Sequence, residues 1–251
     1  MRLPAGLATV PSKGEKSWPG YPCAPGKCFP VKAESPSPSR APLRHAARRS
    51  AQEPLDPESI FGRLAGSLHS LETPLTDLPV GGYLPEGLPR GRPAAVLVGL
   101  LHQAEPSVIL TVRSEQLAQH AGQVAFPGGR REHGDRSAIE TALREAHEEA
   151  GIDTEDVQPL GYLDRYDTIS GYRITPVVAS VAARTRLQAD GTEAEQVFTV
   201  AVSELLRPES WQRSRLCHQG REFEILTLHH PEHRIWGATA ALLFELGQRL
   251  G

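Results

Sequence analysis

Behind Asp56, which can cap a first helical turn, Ile60, Phe61, Leu64 and Leu68 recur at helical spacing and predict a short amphipathic helix. Residues 71–92 are punctuated by Pro and Gly and read as a connection. Two apolar, β-branched runs follow, residues 94–101 and 107–111, separated by a polar turn, and they predict a buried hairpin. Residues 137–150 carry apolar positions at helical period, and Gly151 stands where a left-handed C-cap ends such a helix. Further strands are predicted near residues 157–163, 174–182, 197–200 and 223–228, and a last helix over residues 236–250. Strands mixed with helices before, between and after them give a layered α/β domain.

Composition changes this picture mainly at the start of the chain. Residues 1–54 are dense in Pro, Ser, Gly, Lys and Arg without regular apolar spacing, so they read as a disordered extension, and residues 55–251 as the one folded domain. Residues 1–50 hold nine of the 27 basic residues but two of the 30 acidic ones, which leaves the remainder acidic. An acidic domain is poorly suited to broad electrostatic binding of nucleic acid, and none is expected as a partner. The longest apolar run is about eight residues, far below the roughly 20 of a membrane span, and no secretory segment is visible at the N-terminus. Three cysteines cannot all pair within the chain, which fits a reducing compartment. A cytoplasmic protein is therefore expected, with no membrane partner.

The chemistry concentrates in Phe126-Pro127-Gly128-Gly129, then Asp135, then Arg144-Glu145-Ala146-His147-Glu148-Glu149-Ala150-Gly151-Ile152. On a helix Glu145, Glu148 and Glu149 share one face, while Ile139, Leu143, Ala146 and Ala150 lie on another that can pack against a sheet. Carboxylates crowded in this way repel one another unless a hard divalent cation sits among them, and an oxygen-only set suits Mg²⁺ or Mn²⁺. The Gly128-Gly129 pair lets the backbone approach that site without a Cβ in the way. Arg144 can pair with Glu148 one turn later. A glutamate-rich helical face alone is most often merely solvated. The glycine pair upstream and Gly151-Ile152 downstream select the functional reading.

These residues resemble the Nudix box, G-x5-E-x7-R-E-U-x-E-E-x-G-U with U aliphatic. Gly129, Asp135, Arg144, Glu145, Ala146, Glu148, Glu149, Gly151 and Ile152 fill its fixed places. Asp135 replaces the usual Glu, and eight residues rather than seven separate it from Arg144. Leu110-Thr111-Val112-Arg113-Ser114 followed by His120-Ala121-Gly122-Gln123-Val124-Ala125 is similar to the additional signature of the coenzyme A pyrophosphatase subfamily, which also tends to carry that insertion. The subfamily's usual Arg is replaced by Ala118. Residues 170–177 and 234–239 are likewise similar to stretches of such proteins.

The resemblance implies a Nudix-type α/β/α sandwich with a mixed sheet and metal-dependent cleavage of a diphosphate. The substrate would be coenzyme A or an acyl-CoA, split into 4′-phosphopantetheine, free or acylated, and adenosine 3′,5′-bisphosphate. Glu145, Glu148 and Glu149 are the expected metal ligands. Glu148 or Glu193 is the expected proton acceptor, and Arg144 supports the catalytic set. Arg113, His120, Gly128, Gly129 and Arg173 are the expected substrate contacts. Each has a blander alternative: an ion pair for Arg113, a turn hydrogen bond for His120, a solvated loop for Glu193. Two rival readings remain open, hydrolysis of another nucleoside diphosphate derivative such as ADP-ribose, a dinucleotide or a nucleoside triphosphate, and a catalytically idle nucleotide-binding protein. A homodimer is left open.

Overall fold

A computed structural model describes residues 56–83, 91–117, 119–218 and 221–251. The expected N-terminal extension, Cys23, Cys28 and Ala118 lie outside the described residues. The central sheet is mixed. Its longest strands, β2 (Arg92–His102) and β8 (Tyr172–Ala182), run parallel over their full length. The strands numbered between and around them are β1 (Val80–Gly82), β3 (Ser107–Arg113), β4 (Val124–Ala125), β5 (Gly128–Arg130), β6 (Val157–Tyr162), β7 (Arg165–Asp167) and β9 (Ala194–Ala201). β6 and β7 pair antiparallel with β8, β1 pairs parallel with β7, and β9 pairs antiparallel with β3.

The sheet is covered on both faces. On one, α2 (Ala138–Ala150) lays Ala138, Ala142, Ala146 and Ala150 against Ala95, Leu97, Ile109, Val177, Ala179 and Val181. Alanines let the helix approach the strands closely, which brings its charged side to the sheet's rim. On the other face, α1 (Pro57–Ser67) and α4 (Gly237–Leu250) bury Ile60, Leu64, Leu242, Leu243 and Leu246 against Val98, Leu100, Leu110 and Val178. Alternate residues of β2 thus serve opposite cores, as the pleat of a strand buried on both faces requires. A second sheet of β10 (Trp211–His218), β11 (Arg221–His229) and β12 (Arg234–Trp236) packs beside α4.

The expected α/β/α sandwich with a mixed sheet is present. Asp56 caps α1 by accepting from the Ser59 N–H at 2.8 Å, and Gly151 ends α2 at φ +66°. The predicted hairpin of residues 94–101 and 107–111 needs correction, because β2 and β3 pair only at Leu100 with Val108 and Leu101 with Ser107 before diverging. The segment containing the glycine pair fills the wedge: β4 pairs with β3, and β5 pairs with β2 at Val96–Gly128 and Ala95–Gly129. The connection expected over residues 71–92 contains β1 and a 3₁₀ turn, Leu75–Asp77. The last helix begins at Gly237, with Trp236 as its N-cap rather than its first residue.

Candidate active site

Helix α2 carries the candidate chemistry, and its own sequence fixes its ends. Ser137 accepts from the Glu140 N–H at 3.1 Å, and the Gly151 and Ile152 N–H groups close on the carbonyls of His147 and Ala146. With the alanine face fixed on the sheet, Arg144, Glu145, Glu148 and Glu149 are carried to the side facing the β4–β5 segment. The expected Arg144–Glu148 pair forms, with Nη1 2.9 Å from Oε2. The same guanidinium donates through Nη2 to Glu145 at 3.0 Å, to Asp135 at 3.1 Å and to the Arg130 carbonyl at 3.3 Å, while its Nε reaches Asp135 at 3.2 Å. One planar fork therefore orients three carboxylates and ties β5, the strand that carries the glycine pair, to the helix.

Glu149 lies deeper, 3% exposed, and accepts from the Gly128 N–H at 3.1 Å. Arg113 of β3 approaches it to 3.7 Å, and the Arg113 Nε is buried with no hydrogen-bond partner among the described residues. Gly129 faces Glu145 so closely that an added Cβ would stand 2.3 Å from a carboxylate oxygen. Both glycines are thus required by close approach: Gly128 lies against Ala95 and Val96, and Gly129 against Glu145.

This crowding shows in the acidities. Burial pushes the Glu149 carboxyl up to about 7, with Glu145 and Glu193 adding to the rise and the Gly128 N–H and Arg113 opposing it. Glu145 is also raised, chiefly by burial, with Glu148 and Glu193 contributing and Arg144 opposing. Asp135 goes the other way, to about 2, because Arg144 and the Glu132 N–H and Thr141 hydroxyl bond its carboxylate. The raised acidities of Glu145 and Glu149 within this group of carboxylates make an oxygen-rich cluster suited to a hard divalent cation. Among the described residues no three His, Cys, Asp or Glu side chains are already closed into a metal-ligating set; Arg144 stands among the carboxylates.

The remaining predicted residues fall at different places. Glu193 is exposed in the loop before β9, yet its charge bears on both Glu145 and Glu149. His120 adopts φ +60° in the β3–β4 turn, where its Nδ1 lies 2.9 Å from the Gln123 amide oxygen. Arg173 closes bidentately on Asp167, at 2.8 and 2.7 Å. Asp167 was not singled out in the sequence, since nothing local marks a carboxylate six residues before the arginine as its partner. Asp190 was also missed, although its Asp-Gly-Thr sequence is a turn signal.

Comparison with known proteins decides the family. Residues 91–219, just over half of the chain and all of the box, match the model of the NUDIX domain. The chain belongs to the Nudix family. Proteins described as uncharacterized Nudix hydrolase NudL share 39% identity over 159 residues in Pectobacterium atrosepticum and 38% over 159 residues in Photorhabdus laumondii. Each alignment covers 63% of this chain, with 83% and 85% of the respective relatives. A solved Nudix hydrolase from M. smegmatis, RenU, is 22% identical over 49% of this chain and 81% of its own, with a TM-score of 0.40. The chain is accordingly a Nudix hydrolase acting on diphosphate bonds, in a family that generally uses divalent metals. Among its described residues no helix is long and apolar enough to cross a membrane.

Proposed function

We propose that this Nudix hydrolase cleaves the diphosphate of coenzyme A or an acyl-CoA, with Mg²⁺ or Mn²⁺ held by Glu145, Glu148 and Glu149. The observation that carries the metal assignment is the buried pair Glu145 and Glu149 pressed against the backbone of Gly128 and Gly129. When bound, a divalent cation supplies charge neutralisation for the diphosphate and acidifies the attacking water. Arg144 keeps Glu145 and Glu148 aimed, and Asp135 keeps Arg144 in place. Arg113 takes a phosphate oxygen, a role supported by its buried Nε, which has no hydrogen-bond partner among the described residues. Glu193 or Glu148 accepts the proton of the attacking water.

Coenzyme A is favoured by the likeness of residues 110–129 to the coenzyme A pyrophosphatase signature. Ala118, in place of that signature's Arg, favours a second reading, in which the substrate is another nucleoside diphosphate derivative such as ADP-ribose. The two are separated by incubating the protein with coenzyme A, ADP-ribose and a nucleoside triphosphate in Mg²⁺ or Mn²⁺ and reading product masses. Release of 4′-phosphopantetheine and adenosine 3′,5′-bisphosphate supports the first reading. Cleavage confined to another substrate overturns it and leaves the diphosphate chemistry standing.

A further inference from the structure

The loop that carries Glu193 is built around one carboxylate. Asp190 accepts from the Thr192 N–H at 3.2 Å, from the Glu193 N–H at 3.1 and 3.0 Å, from the Ala194 N–H at 2.7 Å, and from the Thr192 hydroxyl. Gly191, at φ +78°, turns the chain between them and donates its N–H to the Ala194 carbonyl at 2.9 Å. Among the described residues no cation pairs with Asp190, so its charge is met by this ring of N–H and O–H groups.

The turn is fastened at both sides to the candidate site. Gln188 N–H donates to the Ala150 carbonyl at 3.0 Å and Asp190 N–H to the Glu149 carbonyl at 3.4 Å, so the last turn of α2 gives its orphan carbonyls to this loop. On the other side the Ser114 N–H donates to the Glu193 carbonyl at 2.9 Å, directly after Arg113. Glu193 is therefore held between the helix bearing Glu145 and Glu149 and the strand bearing Arg113. An exposed glutamate on a free loop would have no such definition.

We infer that Asp190 is a positioning residue that fixes Glu193 beside the Glu145 and Glu149 carboxylates by capping the turn that leads from β8 into β9. This rests on the reading in which Glu193 assists hydrolysis. Asp190 itself touches no reacting atom. Its carboxylate sets the backbone of Thr192, Glu193 and Ala194, and through that backbone the position of the Glu193 side chain.

The test uses the full chain with Asp190→Ala, Asp190→Asn, Glu193→Gln and the Asp190→Ala/Glu193→Gln double variant. Two readouts are taken: Mg²⁺-dependent hydrolysis of coenzyme A and ADP-ribose, and amide hydrogen exchange across residues 189–197 without substrate or metal. Glu193→Gln is expected to lower kcat by about 100-fold, the scale of a lost proton acceptor. Asp190→Ala is expected to lower kcat about tenfold with KM within about twofold, and to add nothing in the Glu193→Gln background. Exchange at Glu193 and Ala194 should quicken in Asp190→Ala. Asp190→Asn, which keeps an acceptor oxygen, should recover most of the activity. Losses that multiply in the double variant, an unchanged kcat in Asp190→Ala, or a silent Glu193→Gln would overturn the inference. If the wild type cleaves neither compound, the functional reading fails on its own, and unchanged exchange in Asp190→Ala would overturn the positioning role independently.

Discussion

Gly129 and Glu145 stand so close that a Cβ on the glycine would lie 2.3 Å from a carboxylate oxygen of the glutamate. The obstructing atoms are the end of a side chain, so the fold can yield to Gly129→Ala by moving that carboxylate, whereas the site cannot. The substitution is expected to cost about 1 kcal/mol of stability, within the range of ordinary point variants, and to lower kcat at least tenfold. A thermal melt and a rate measured on the same preparation check it. A large loss of stability with proportionate loss of rate would mean that Gly129 serves packing alone.

Arg144 reaches Asp135, Glu145, Glu148 and the Arg130 carbonyl from one guanidinium. A lysine presents a single ammonium and cannot span these directions. Arg144→Lys should therefore reduce kcat by about 10- to 100-fold while preserving the charge, a loss that geometry alone explains. Near wild-type rates in Arg144→Lys would show that charge, not orientation, is what the position supplies.

Glu149 has an acidity raised to about 7, with burial as the leading cause. Such a carboxyl does not disturb the metal-free fold below the unfolded value of about 4.5, where both states are protonated. The destabilisation grows between about 4.5 and 7, because over that range the unfolded chain binds fewer protons than the folded one, and it saturates above about 7, where both are deprotonated. Glu149→Gln should accordingly raise metal-free stability at pH 8 by about 1–3 kcal/mol, with a smaller gain at pH 5. Denaturant melts at the two pH values read this directly, and a variant less stable than wild type at pH 8 would contradict it.

Asp135 has the opposite sign. Its acidity is lowered from 3.8 to about 2 by Arg144 and neighbouring donors. The associated stabilisation is fully present above about pH 4 and is lost as pH falls through about 2. Asp135→Asn is expected to be less stable by about 1–2 kcal/mol at pH 7, with the difference shrinking toward pH 2. Equal differences at both ends of that range would assign the effect to packing.

The parts of the fold legible in the sequence were those where local signals agree. Helix α2 had apolar positions at helical period and a terminal glycine, and the Arg144–Glu148 pair followed from its spacing, whereas Ser137, read as its first residue, is its N-cap and the innermost face is Ala138, Ala142, Ala146 and Ala150 rather than Ile139 and Leu143. The opening between β2 and β3 was not legible, because both strands are apolar and nothing local says where two such strands diverge. β4 and β5 have two and three residues and exist only through that opening. β10 was missed because Trp211-Gln212-Arg213-Ser214-Arg215 has little apolar content, yet Arg213 and Arg215 pair across to Glu224 and Glu222 of β11, a cross-strand charge pattern that both sequences carried. In the site, the glutamates were visible from helical period. The bonds of Asp135 to Arg144 and of Asp190 to the Glu193 turn depend on loops whose course the sequence leaves open.

The proposed binding of a divalent cation by the α2 carboxylates is tested by Mn²⁺ binding, followed by electron paramagnetic resonance, in wild type, Glu149→Gln and Asp156→Asn. Asp156 pairs with Arg184 away from the cluster and serves as the control. Saturable Mn²⁺ binding is expected in wild type and Asp156→Asn, weakened at least tenfold in Glu149→Gln, the scale on which loss of supporting metal contacts acts. Binding unchanged by Glu149→Gln, or absent from the wild type in the presence of a cleaved substrate, would contradict the proposal.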